Sequence, residues 1–179
     1  GVVILIIVAP YRLKRILSFL DPWSDPLGSG FQIIQSLYAI GPGGLFGLGF
    51  GNSIQKHFYL PEPQTDFIFS IITEEFGVLG AFIVVALFTL LIYRGVEIAI
   101  SSKDMYGLLV TLGIIGMFAF QIVVNIAVVT KSCPTTGMPL PFFSYGGTAI
   151  LVDVAAVGLL LSVSRNSKKS TNEKSNRKL

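Results

Sequence analysis

Asp66 closes the run Tyr59-Leu-Pro-Glu-Pro-Gln-Thr-Asp66 and stands directly before a long apolar stretch that opens Phe67-Ile-Phe. A carboxylate at the mouth of a membrane helix can meet water, lipid head groups and cations together, which suits a general base. The plainer reading is an N-cap accepting a first-turn N–H, and the two roles are compatible. Cationic candidates stand upstream: Arg12, Lys14 and Arg15 follow an apolar run, and Lys56 lies ten residues before Asp66. Forked arginine donors suit a phosphate, while Lys14 also reads as an interfacial anchor and Lys56 as a solvated loop residue. Glu74 and Glu75 fall eight and nine residues after Asp66. Two acids entering a membrane must be paired, hydrated or bound to a cation; pairing with Lys or Arg is the expectation, and a share in a cation site is the sharper alternative. His57, the sole histidine, has no metal-ligand spacing around it.

The elements that must position these groups are membrane helices. The chain has 179 residues, 52% hydrophobic and 13% charged, with mean hydropathy +0.73, which excludes an ordinary soluble domain. The expected class is all-α, a polytopic bundle of about three full spans and one truncated span, with a long outer loop carrying short helices. Residues 1–10 read as the end of a spanning helix cut by the start of the chain, and 11–66 as the extracytoplasmic loop. Spans are expected at 67–93, 106–130 and 140–164, separated by a cytoplasmic loop at 94–105 and an outer loop at 131–139. The tail 165–179, polar and basic with no apolar face, is expected to be disordered. Phe31 to Ile40 has a helical apolar face, whereas Gly41 to Gly51 holds six glycines in eleven residues and should carry no regular element.

Counting Lys and Arg sets the orientation. With the tail and 94–105 inside, eight basic residues face five outside, so residues 10–66 lie on the outer face. Arg12, Lys14 and Arg15 then sit where that rule disfavours them, and an anionic lipid head group would account for them. The glycine run offers backbone N–H groups to a sugar or pyrophosphate, or is simply a flexible loop. Ser144-Tyr-Gly-Gly147 reads first as a broken helix entry and second as the wall of a lipid-facing cavity. Gln121 and Asn125, one turn apart, suit interhelical hydrogen bonding. Asp153 is a mid-span acid with no evident partner. The single cysteine, Cys133, cannot form an internal disulfide.

Several blocks in order carry a resemblance: Asp21-Pro-Trp, Gly30-Phe-Gln-Ile-Ile-Gln-Ser-Leu-Tyr, Gly47-Leu-Gly-Phe-Gly-Asn-Ser-Ile-Gln-Lys, Tyr59-Leu-Pro-Glu, Thr65-Asp-Phe-Ile-Phe, Glu74-Glu-Phe-Gly and Pro139-Leu-Pro-Phe-Phe-Ser-Tyr-Gly-Gly147. From about Pro10 to Arg165 the chain resembles the C-terminal part of the shape, elongation, division and sporulation family, nearest to its FtsW and sporulation branch. Four positions, in three places, depart from the pattern. Gln64 stands where many members have His, Lys131 and Cys133 occupy a loop expected to be small and apolar, and Asp153 replaces an apolar or small residue.

The resemblance implies a peptidoglycan glycosyltransferase of the bacterial plasma membrane, at the division or sporulation septum, polymerising lipid II beside a class B penicillin-binding transpeptidase. The growing glycan and the bilayer are its other partners, and nucleic acid is not. The family's catalytic aspartate falls on Asp66. Glycan extension needs one base at the incoming hydroxyl, and the departing lipid pyrophosphate needs positive charge rather than a second acid. Arg12, Lys14, Arg15 and Lys56 are the candidates for that charge, with a divalent cation such as Mg2+ beside them and Glu74 and Glu75 as weak ligands; Ser144 and Gly146 are assigned to substrate binding. A transporter of the same lipid and a non-catalytic scaffold for the transpeptidase are the competing readings. The 179 residues alone are expected to be inactive, lacking most of the bundle that would enclose the lipid tail.

Overall fold

A computed structural model of the chain describes residues 16–26, 28, 30–52, 67–102, 104–144 and 146–176, with side chains described as far as Asn166. Among these the protein is entirely helical. A 3-10 turn, Pro22–Ser24, is capped by Asp21, whose Oδ1 accepts the Trp23 N–H at 3.2 Å. Four α-helices follow: α1 (Phe31–Gly43), α2 (Ile68–Ser101), α3 (Met105–Val129) and α4 (Gly147–Asn176). α2, α3 and the apolar part of α4, Gly147–Asn166, are long and apolar enough to cross a membrane. The truncated span expected at 1–10 lies outside the described residues.

Helix lengths differ from the sequence reading in four places. The last span begins at Gly147 rather than at 140, because 140–144 form a turn. α1 continues through Pro42 to Gly43 and stops at Gly44, whose φ of 49° cannot continue a right-handed helix. α2 runs on through residues 94–101, expected as loop, because no Pro or Gly pair interrupts it and Arg94 pairs with Glu97 at 2.9 Å one turn on. Its 34 residues would span about 50 Å if straight, well beyond a bilayer core of about 30 Å. α4 extends to Asn176, into the stretch expected to be disordered. Adding residues to an existing helix costs far less than nucleating one, so a polar tail without Pro or Gly follows the span that precedes it.

α2 packs along α3, α4 lies against both, and α1 lies across the first turns of α2. Phe88, Ile115, Phe118, Ile122, Leu140 and Leu160 belong to the buried cluster between them. In a bilayer the apolar tails outside compete equally for such side chains, so close contact must come from small residues and shape. Gly95 supplies it between α2 and α3, where a Cβ would run into the Ile115 side chain. Gly107 does the same between α3 and α4, with Val163 Cγ1 3.2 Å from where its Cβ would be.

Candidate functional site

The first turn of α2 is held by polar ties rather than by a side-chain cap. Phe67 occupies the cap position, one residue after Asp66, and is only 2% exposed. Its carbonyl accepts the Ser70 N–H at 3.0 Å and the Ser70 hydroxyl at 2.9 Å. Ser36 of α1 lies 3.3 Å from the Ser70 hydroxyl and donates to the Val129 carbonyl at the end of α3, at 3.0 Å. Three helices therefore meet at one buried hydroxyl pair, which satisfies a carbonyl that the end of α3 would otherwise leave unpaired. The residue after Asp66 is thereby fixed in place.

Two turns further on, α2 is broken. Gly77 has φ 68° and ψ −165°, a conformation essentially reserved for glycine, so the helix ladder is interrupted there. The glycine loop after α1 is spliced into the gap. Leu48 and Gly49 donate their N–H groups to the Glu74 and Glu75 carbonyls at 2.9 and 3.0 Å, while Val78 and Leu79 donate theirs to the Gly44 and Leu45 carbonyls at 3.0 and 3.3 Å. Four backbone groups beside the break thus find partners in the loop, as a membrane interior demands. The approach is so close that a Cβ on Gly47 would collide with the Glu75 carbonyl and one on Gly43 with the Thr73 carbonyl. The N–H groups of Leu48 and Gly49 are therefore spent on α2, and that of Gly47 on the Gly43 carbonyl at 2.6 Å, so none of the three is available to a sugar or pyrophosphate.

Glu74 and Glu75 precede this break and are buried, 1% and 5% exposed. Among the described residues Glu75 makes no ion pair, and its Oε1 has no hydrogen-bond partner, so the expected Lys or Arg pairing is not found for it. No cluster of three or more metal-ligating side chains occurs among the described residues.

The second feature is the loop between α3 and α4. Asn125 donates from Nδ2 to the Met138 carbonyl at 2.8 Å, tying the loop that follows α3 back to that helix. Leu140, fully buried, accepts the N–H groups of Phe143 and Ser144 at 3.3 and 3.2 Å. Ser144 is buried, and Gly146 precedes α4, accepting the Ile150 N–H at 3.0 Å. Phe142 has φ 65°, and its N–H goes to Oδ2 of Asp153 at 3.0 Å. A cavity of about 240 Å³ opens beside this contact, with Gln121, Pro139, Thr148 and Asp153 in its wall. The Oε1 of Gln121 is buried there without a partner.

Asp66, Arg12, Lys14, Arg15, Lys56 and His57 lie outside the described residues. Glu74 and Glu75 are brought to the helix break, and Ser144 and Gly146 to the far loop between α3 and α4. Sequence reasoning missed Gly77, although an isolated glycine just after two acids in an apolar run is a recognisable signal of close backbone approach. It also missed the partner of Asp153, which is a main-chain N–H and so leaves no trace in residue identities.

A family model described as "Cell cycle protein", covering FtsW, RodA and SpoVE, matches residues 1–169. The chain is 59% identical over 168 residues to stage V sporulation protein E of Bacillus subtilis, covering 94% of this chain and 46% of the relative. It is 51% identical over 163 residues to a probable peptidoglycan glycosyltransferase FtsW of Trichlorobacter lovleyi, covering 91% and 43%. The chain thus spans about half the length of the curated relatives it matches. Among solved structures, a chain from a peptidoglycan synthase complex superposes with TM-score 0.69 at 37% identity, over 89% of this chain and 43% of that one. A mutant of the rod shape determining protein RodA from Thermus thermophilus superposes with TM-score 0.57 at 28% identity, over 88% and 57%.

Proposed function

The chain belongs to the FtsW, RodA and SpoVE family of cell cycle proteins, and from that membership we propose that, within a larger helix bundle, it polymerises lipid II as a peptidoglycan glycosyltransferase of the bacterial plasma membrane. The observation that carries the site assignment is the anchored start of α2. Phe67 is buried and tied through Ser70 and Ser36 to the end of α3, so the residue to which Asp66 is joined is held by packing and hydrogen bonds. Preorganisation of this kind is what a general base needs.

In the proposed reaction Asp66 takes the proton of an acceptor sugar hydroxyl as its oxygen bonds to C1 of the donor sugar. The C1–O bond to the lipid pyrophosphate breaks with inversion, and the pyrophosphate leaves with the electron pair. Arg12, Lys14, Arg15 and Lys56 stabilise that developing charge. Ser144 and Gly146 belong to the wall on which substrate rests. A divalent cation such as Mg2+ fits one observation, the unpartnered buried Oε1 of Glu75. Mg2+ is commonly held by one or two carboxylates together with substrate phosphates, so it does not require a three-ligand protein cluster. Its proposed partner is a class B penicillin-binding transpeptidase, supported by the structural likeness to a peptidoglycan synthase complex.

The test is Asp66→Asn in the full-length protein, assayed with lipid II and its transpeptidase. Asn matches Asp in size and shape but cannot take up the proton, so glycan synthesis should fall about 100-fold or more with no loss of thermal stability. Normal polymerisation by the Asn variant removes the base assignment. A second reading, transport of the same lipid, is favoured by the broken helix at Gly77 and the acid Asp153 within α4. Vesicles loaded with labelled lipid II separate the two: translocation without glycan product supports transport.

A further inference from the structure

We infer that Asp153 is a positioning residue: it holds the loop 139–146 in its substrate-binding shape by accepting the Phe142 N–H. The inference rests on the proposed glycosyltransferase reading only for its effect on substrate, because the contact itself is independent of it. Phe142 has φ 65°, a left-handed conformation that a phenylalanine enters only when its surroundings demand it. In that conformation its N–H is directed out of the loop and into α4, where Asp153 Oδ2 lies 3.0 Å away. Asp153 is 6% exposed and sits in the second turn of α4, so its carboxyl reaches back across the helix entry to the loop.

Other contacts complete the fixation but cannot replace it. The Phe142 ring packs against Phe118 with centroids 5.4 Å apart, and the Phe143 ring against Phe88 at 6.0 Å. These hold the two side chains on α3 and α2, yet they leave the main-chain direction at residue 142 unspecified. The two bonds onto the Leu140 carbonyl close the turn only if the chain passes through Phe142 in this conformation. Ser144 and Gly146, the assigned substrate contacts, follow within four residues. Losing the acceptor would therefore displace the wall of the site while leaving the ties of Phe67 at the start of α2 untouched. The consequence falls on substrate affinity rather than turnover.

Two variants of the full-length protein decide this. Asp153→Asn keeps a carbonyl oxygen able to accept the Phe142 N–H, whereas Asp153→Leu fills similar space and accepts nothing. For Asp153→Leu the KM for lipid II should rise about fivefold to tenfold with kcat within twofold, the loss expected of one unmade hydrogen bond. Asp153→Asn should restore the KM. Hydrogen exchange at the Phe142 amide provides a readout independent of activity: fast in the Leu variant, protected in the wild type and the Asn variant. Wild-type KM and wild-type protection in Asp153→Leu overturn the inference, as does an Asn variant that behaves like Leu. If the wild type makes no glycan, the glycosyltransferase reading fails, and the exchange measurement still decides the role of Asp153. If Asp153→Leu does not fold, the Asn variant alone decides, since an unprotected Phe142 amide in it also refutes the proposal.

Discussion

Replacing Gly77 by alanine should cost the protein about 3 kcal/mol, because the break in α2 and the loop spliced into it depend on one another. Residue 77 holds φ 68° and ψ −165°, which any residue other than glycine enters at about 1–3 kcal/mol. An added Cβ would also lie 2.5 Å from the Leu45 carbonyl oxygen and 2.6 Å from the Gly47 nitrogen, both of them backbone atoms that cannot rotate away. The chain has two ways to respond. If the loop is pushed off, the four hydrogen bonds between 44–49 and 74–79 are lost. If α2 straightens instead, residues 78 and 79 recover ordinary helical bonds, but the loop is left with unpaired groups at Gly44, Leu45, Leu48 and Gly49. Gly44, Leu45 and Leu48 are exposed and Gly49 half-buried, so the lost bonds add little, and the strain at residue 77 together with the overlap on two fixed backbone atoms carries the stated figure. On the usual scaling that would lower the unfolding midpoint by about 6–12 °C for 179 residues, and by about half as much in a protein twice as long. Thermal unfolding of the full-length protein in detergent measures it, with Gly158→Ala as control. Nothing lies within 4 Å of where a Cβ on Gly158 would be, and alanine there should be neutral or stabilising by up to about 1 kcal/mol. A Gly77→Ala protein with an unchanged midpoint, and with Leu48 and Gly49 amides still protected from exchange, would refute the reasoning.

Three further outcomes follow from the packing. Gly95→Ala should destabilise the α2 and α3 contact by about 1–3 kcal/mol through overlap with Ile115, and Ile115→Ala in the same chain should return part of that loss; a double-mutant cycle on unfolding midpoints reads the coupling. Asn125→Leu leaves the Met138 carbonyl without its donor and should cost about 1–3 kcal/mol while making the 131–139 loop more sensitive to protease. Glu97→Gln, which removes the charge from the exposed contacts with Arg94 and the Tyr93 hydroxyl, should leave the unfolding midpoint within experimental error, and a clear drop would show that these contacts are shielded from water.

The amount legible from residue order alone differs between elements. The three apolar helices could be read because membrane spans announce themselves by length and composition, and the chain must form them to satisfy its backbone in lipid. The glycine run was legible as an irregular segment but not as a patch for α2. Its partners are the carbonyls and N–H groups of residues 74–79, which every sequence possesses alike. The extension of α2 through residue 101 escaped notice because Arg94, Glu97 and the polar residues beyond look like a loop, although nothing in them stops a helix. The acids separate in the same way. Glu74 and Glu75 were visible as costly charges near a membrane, while the absence of a partner for the Glu75 Oε1 depends on which side chains the fold brings near.

Residue types and their order determined that this chain crosses the membrane in helices, that Asp66 stands where one of them begins, and that the motifs around it are those of the FtsW, RodA and SpoVE family. Hydrophobic run length, charge position and motif spacing are one-dimensional quantities, so they survive without coordinates. Tertiary structure alone decided that α2 is cut at Gly77 and repaired by a loop 28 to 33 residues earlier in the chain, and that Asp153 grips the Phe142 backbone. Both are hydrogen bonds to main-chain groups. Since those groups are identical at nearly every position, only the path of the chain in space can select which ones meet.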